Sequence, residues 1–126
     1  MKRVIIALAI MGIMLLSCIG VLFWLHESIL TLESDLDAAQ VLFARQQIPE
    51  AMELLDSAAH RWEKQEHIFA RLLRHKELES ITMNLVSLSA YLEHRDYASF
   101  AAADAQIRLM LTHIWEAELP LPENLL

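Results

Sequence analysis

The chain has 126 residues, 56% of them hydrophobic, a formal charge of −7, two glycines, three prolines and one cysteine. So short a chain holds at most one domain of ordinary size. The single Cys18 excludes an internal disulfide, a CxxC redox pair and a thiolate zinc cage, and an acidic chain without a basic stripe argues against nucleic acid as a partner.

From Val4 to Leu25 no side chain is charged. At about 1.5 Å per residue such a helix is about 33 Å long, enough for a hydrocarbon core of about 30 Å. Lys2 and Arg3 precede the run, whereas His26 to Ala44 holds Glu27, Glu33, Asp35 and Asp37 and no lysine or arginine. The positive-inside rule then predicts a single-pass protein of the cell membrane, with residues 1–25 forming a cytoplasmic stub and transmembrane helix and the rest lying outside. With Lys2 and Arg3 taken from the ten basic residues, eight remain against 17 acidic ones, so the exported part carries a net −9.

Two other fates of the segment are weighed against this one. A cleavable signal peptide needs a shorter apolar core ending in small residues, and here the run continues through Ile19, Val21, Leu22, Phe23, Trp24 and Leu25. Leu15-Leu16-Ser17-Cys18 is similar to a bacterial lipobox, although Leu16 stands where a small residue is usual and apolar residues follow the cysteine; a plain buried thiol is the alternative to lipidation. Trp24 fits an interfacial aromatic anchor. Gly12 and Gly20 are not in GxxxG spacing, so the span carries no dimerisation signature.

Beyond His26 there is no glycine, which removes phosphate-cradling loops, nucleophile elbows and most tight hairpins and leaves no cofactor to expect. Residues 26–118 read instead as four amphipathic stripes. Leu25, Ile29, Leu32, Leu36, Ala39 and Phe43 alternate spacings of 4 and 3, so the membrane helix continues or re-forms up to about Arg45. Pro49 opens a second helix and pushes Ile48 out of helical geometry, which puts the turn at Gln46–Ile48. The second seam is Met52, Leu55, Ala59, Trp62, Phe69 and Leu73, with Glu66 in an expected apolar slot. A third, Leu78, Ile81, Leu85, Leu88 and Leu92, follows His75-Lys76, where neither glycine nor proline compels a break. Asp96 caps a fourth, with Phe100, Ala103, Ile107, Met110 and Ile114 on its stripe and Leu111 and Trp115 widening it.

Short links between stripes of similar length predict an all-α fold: an N-terminal transmembrane helix followed by an antiparallel four-helix bundle. Ala44–Leu55 and Leu92–Ala103 both read as helix, polar turn and alanine-rich helix, a hint of tetratricopeptide-type helix pairs. Residues 119–126 form an extended tail, in which Leu119-Pro120-Leu121-Pro122 cannot continue a helix. It folds back over Trp115 or fills a partner's groove.

Trp62-Glu63-Lys64, His75-Lys76-Glu77-Leu78, the helix with Leu88 and Tyr91-Leu92, and the closing Pro122-Glu123-Asn124-Leu125-Leu126, together with the anchor, give the chain a resemblance to a family. It resembles short Gram-positive membrane-anchored helical proteins grouped as a domain of unknown function. The resemblance implies an anchored helical domain and supplies no activity, ligand or catalytic residue.

His60, Glu63 and His67 fall at i, i+3 and i+7 on one side of the second helix, where imidazole and carboxylate could share a cation. Against this stand the need for a fourth ligand, the absence of HExxH, and Arg61 and Lys64, which make an ordinary charged face. His75 and His94 fall beside Lys76 and Arg95 at helix ends, where they complement C-terminal dipoles. Glu66 on a seam needs a partner such as Arg71 or a histidine, unless it lies at the rim. Ser80, Ser87, Ser89 and Ser99 lack a nucleophile's context and read as surface or capping residues. The resulting expectation is a non-enzymatic interaction or accessory module. Its partners are the bilayer, a membrane or envelope protein, and, as a further way to complete the bundle, a second copy. The alternative is a ligand- or cation-binding sensor domain at the envelope.

Overall fold

The computed structural model describes residues 1–71 and 75–118. Nearly all of them lie in four helices, α1 (Lys2–Ala44), α2 (Ile48–Phe69), α3 (His75–Glu93) and α4 (Tyr97–Glu118), and no strand occurs among them. The expected all-α class holds for these residues. The Leu73 position of the second seam and the whole of the tail lie outside them.

The first helix is continuous over 43 residues, about 64 Å at ~1.5 Å per residue. Neither glycine nor proline interrupts it after Gly20, so the bonding ladder has no reason to break. Its two halves have different surroundings. Ile5, Ile13, Leu16 and Ile19 are each more than half exposed, and the most apolar stretch, long enough to cross a membrane, has none of its residues buried in the protein. Cys18 is exposed on this bare half. From Leu25 onward one stripe turns inward, and Leu25, Ile29, Leu32, Leu36, Ala39 and Phe43 are all buried, as their spacing predicts.

Two turns are built alike without glycine. At the end of α1 the Gln46 N–H donates to the Phe43 carbonyl (2.9 Å) and the Gln47 N–H to Leu42 (2.9 Å). After α3 the Arg95 N–H donates to Leu92 (3.0 Å) and the Asp96 N–H to Tyr91 (2.9 Å). Each pair satisfies carbonyls left over at a helix end and needs a left-handed residue between, which is Gln46 (φ 60°) in one turn and Arg95 (φ 53°) in the other. The first turn therefore occupies residues 45–47, one position earlier than Pro49 predicts, and Ile48 is the first residue of α2, packed against the core. Proline's steric bias on Ile48 is outweighed by the turn's own hydrogen bonds and by that packing.

The buried stripe of α1 recurs in α3, with Ile29, Leu32, Leu36, Ala39 and Phe43 matched in order by Leu78, Ile81, Leu85, Leu88 and Leu92. The same offset carries Ala51, Leu55, Ala58 and Trp62 of α2 onto Phe100, Asp104, Ile107 and Leu111 of α4. Each helix–turn–helix pair is thus a copy of one packing pattern. The matched turns are Arg45–Gln47 and His94–Asp96, one position out of step with the Ala44–Leu55 and Leu92–Ala103 alignment.

Packing follows chain order. Helix α2 lies against α1 and α3, α3 against α4, and α4 also meets α1. On α2 the deepest small residues are Ala51 and Ala58 instead of Met52 and Ala59, which are half-buried. Alanine lets backbones approach closely where the longer Met52 must lie at the flank. The α3 stripe is buried in full. Helix α3 begins at His75, so Lys76 belongs to its first turn and the proposed role of the His75-Lys76 pair at a helix C-terminus does not hold. His94 does follow the C-terminal end of α3. Asp96 is the expected N-cap, its Oδ1 accepting the Ser99 N–H at 3.1 Å.

Candidate functional site

At the end of α1's bare half, the aromatic residues gather. Trp24 packs on Phe69 with ring centroids 4.7 Å apart, Phe69 in turn approaches Trp62 at 6.3 Å, and His26 lies against Trp115 at 4.6 Å. Trp62 and Phe69, both on the expected second seam, are fully buried. Trp24, expected as an interfacial anchor, is half-buried and also part of this cluster. Phe43, at the other end of α1, is stacked on Tyr97 at 4.5 Å and meets Phe100 edge-on at 5.0 Å.

Between α1 and α2, starting at this cluster, lies a cavity of about 210 Å³. Trp24, Glu27, Ser28 and Asp35 line it from α1, and Arg61 and Trp62 from α2. Spacings of 3 and 4 put these side chains on one flank of each helix, beside the buried seam. Arg61 is paired with Asp35 across the cavity mouth. Glu27 is exposed and has no cationic partner among the described residues. Trp62 is 1% exposed, and its indole N–H has no acceptor. A buried donor left unpaired costs about 1–3 kcal/mol.

A second polar group connects α4 to α1. Asp104 is 3% exposed. Its Oδ2 accepts from Gln40 Nε2 at 2.7 Å and from Arg108 Nε at 3.0 Å, while Oδ1 is buried without a partner. Arg108 also donates to Asp37 at 2.6 Å. Burial weakens the basicity of this guanidinium, but its hydrogen bonds to Asp37 and Asp104 and their negative charges outweigh that, and its pKa is raised. The sequence reading passes over Asp104, although its register is visible: it lies four residues after Phe100 and three before Ile107, inside the α4 stripe.

Glu66, the charge that does stand out on a seam, is half-buried at the rim. It accepts the Thr82 hydroxyl at 2.7 Å in place of the expected Arg71 or histidine. A hydroxyl suffices because the carboxylate keeps contact with water. Asp56 likewise accepts from Ser89 at 2.7 Å, so two α2 carboxylates are tied to α3 hydroxyls. Ser87 bonds back to the Met83 carbonyl at 3.0 Å, as a helix-surface serine does.

His60, Glu63 and His67 all lie exposed along α2. Among the described residues no three His, Cys, Asp or Glu side chains are grouped so as to hold a metal ion.

The family model described as domain of unknown function DUF4363 matches residues 20–125. The chain belongs to this family. The matched region begins shortly before Trp24 and runs through all four helices, so what the DUF4363 model describes is the helical body together with its junction to the apolar segment. No curated protein and no solved structure matches the chain.

Proposed function

We propose that this DUF4363 chain is a single-pass membrane protein whose N-terminus is cytoplasmic and whose outer part, an antiparallel four-helix bundle, is a non-enzymatic accessory module for another membrane or envelope protein. The observation that carries the reading is α1: one unbroken helix that is bare and apolar over its first half and a core element over its second. Bare apolar surface on that scale needs lipid, and the continuous backbone leaves no linker between lipid and body. The antiparallel arrangement is supported by Phe43 meeting Tyr97 and Phe100 at the start of α4 while His26 meets Trp115 near its end. The N-in orientation is supported by Lys2 and Arg3 against the acidic residues that follow Leu25.

The interaction role is supported by the outer side of α3. Met83 and Val86 are 64% and 61% exposed, and Ala90 continues their line. Residues 83, 86 and 90 keep the 3-and-4 spacing of a helix-packing seam on the side opposite the buried stripe. A photoactivatable residue at Met83 in intact cells tests the reading. A discrete adduct with a second protein is the expected result. An adduct only with another copy would make the chain a self-associating anchor, and no adduct would remove the interaction role. Protease added to whole cells is expected to digest the body, and protection there would reverse the orientation.

A further inference from the structure

We propose that the end of the body where α2 passes into α3 rests on the bilayer that holds α1, with Arg71 and Lys76 bound to the phosphates of anionic phospholipid headgroups and Ile68 set against the acyl boundary. This lipid contact is additional to the accessory role. It needs α1's apolar half to be a span, and it holds on either side of the membrane.

The aromatic contacts set the position. Leu25 ends the uncharged run, so Trp24 stands where the hydrocarbon gives way to a headgroup layer about 5–7 Å thick. Phe69, the last residue of α2, packs on Trp24 with ring centroids 4.7 Å apart. The end of α4 reaches the same level, where Trp115 lies against His26. Ile68 precedes Phe69 by one residue and Arg71 follows it by two, so both are within about 3 Å of its level at ~1.5 Å per residue. Lys76 belongs to the first turn of α3, which starts from this end of the body.

Charge selects the surface that meets them. Between Glu66 and Glu77 the sequence has no acidic residue and holds Arg71, Arg74 and Lys76, three of the eight lysines and arginines beyond His26. In a chain of net charge −7 this is a local reversal of sign. Arg71 and Lys76 are exposed, and neither meets a carboxylate among the described residues. Arg61 and Arg108, by contrast, are paired with Asp35 and with Asp37 and Asp104. Lys76 also stands where the dipole of α3 disfavours a cation, so its charge does nothing for the helix. Carboxylates near this level, Glu27 and Glu116, belong to α1 and α4. Ile68, 50% exposed beside the cations, adds an apolar contact. Long basic side chains lay their stems along an apolar layer and extend their heads to phosphate, and a guanidinium does so with paired hydrogen bonds. An acidic protein could match the charges, but it would have to displace the headgroups already at that depth.

The test uses the full chain in nanodiscs, in a Cys18→Ser background, with a bimane fluorophore on His67→Cys and a trace of lipid carrying a nitroxide on its headgroup as quencher. His67 is exposed and adjoins Ile68. Replacing phosphatidylcholine stepwise by phosphatidylglycerol is expected to deepen the quenching saturably, as anionic headgroups draw this end onto the surface. Arg71→Gln is expected to raise the phosphatidylglycerol share at half-effect about fivefold, and Arg71→Lys to leave the response in place. Arg71→Gln combined with Lys76→Gln should abolish it with unchanged helicity, since both side chains are exposed. Quenching that ignores phosphatidylglycerol, or a response that survives the double substitution, overturns the lipid contact. So does equal quenching of a bimane on Gln47→Cys, which lies about 33 Å beyond Leu25 at ~1.5 Å per residue and is expected to stay bright. A chain that fails to enter nanodiscs refutes the span, whereas an inserted chain indifferent to phosphatidylglycerol refutes the lipid contact alone.

Discussion

Asp104→Ala in α4 tests how much of the body's stability is apolar packing and how much is the polar link to α1. The substitution removes two hydrogen bonds at Oδ2, from Gln40 at 2.7 Å and Arg108 at 3.0 Å. A bond between charged groups is worth about 1.5–3 kcal/mol when well buried, but the Arg108 side chain is 31% exposed and keeps Asp37 at 2.6 Å. Solvent screening brings its loss down to about 1 kcal/mol. Gln40 is exposed and rehydrates, which adds about 0.5 kcal/mol at most. Against this, the substitution also removes the buried Oδ1 that has no partner, a relief of about 1 kcal/mol. The balance is a destabilisation below about 1 kcal/mol, whereas Ile107→Ala, one turn away and fully buried, should cost about 2–5 kcal/mol. Urea unfolding of the full chain in micelles, followed by the loss of helicity, measures both; equal slopes would show that the same surface unfolds in each. A cost for Asp104→Ala equal to that for Ile107→Ala would refute the reasoning and make the polar link the dominant tie between α1 and α4.

The remaining predictions concern the turns and the outer surface. Hydrogen bonds from the Ser99 hydroxyl and then the Ser99 N–H hold the Asp96 carboxyl below its ordinary 3.8, against a slight opposing effect of burial. Its contribution is therefore complete above that value and is lost as pH falls through the lower folded one, so acid titration of Asp96→Asn should lack this part of the wild-type stability loss. Arg95→Gly should stabilise the body by about 0.5 kcal/mol in the same urea assay, because relief of a left-handed residue, about 1–2 kcal/mol, exceeds the extra freedom glycine gives the unfolded chain. Val86→Glu combined with Ala90→Glu should abolish cross-linking from the photoactivatable residue at Met83 while changing stability by no more than about 0.5 kcal/mol, since both positions are exposed.

How far the sequence can be read depends on what each residue contributes. The α1 and α3 stripes are legible residue by residue, because leucine and isoleucine at alternating spacings leave one face to bury. On α2 the alanines blur the pattern. Ala51 and Ala58 are the buried pair, yet Met52 and Ala59 fit the same period one residue later, and only a neighbour's shape decides between two faces that differ by about 100°. The first turn is misplaced by one residue because the rule for proline is local while the bonds that set the turn come from Leu42 and Phe43 in the preceding helix. Asp104 is missed for a related reason: charge argues for the surface, and its burial rests on Gln40 and Arg108, one of them 64 positions away. The cavity is illegible altogether, since Ser28 and Trp62 are unremarkable until α1 and α2 are side by side.

What the structure adds to composition is the way one helix is shared between two environments. Leu25 is the last residue of the uncharged run and is 1% exposed in the core, so the same turn of α1 ends the bare apolar half and begins the core element. An apolar segment joined to a body by a loose linker transmits neither tilt nor rotation, but here the bare half runs into the core half through a helix with neither glycine nor proline from Val21 to Arg45. The body cannot reorient without moving the apolar half, and on the proposed reading of that half as a span, a bilayer that changes its tilt moves the body with it. The cavity lies where the two halves of α1 meet, with Trp24 at the end of the bare half and Trp62 in the core.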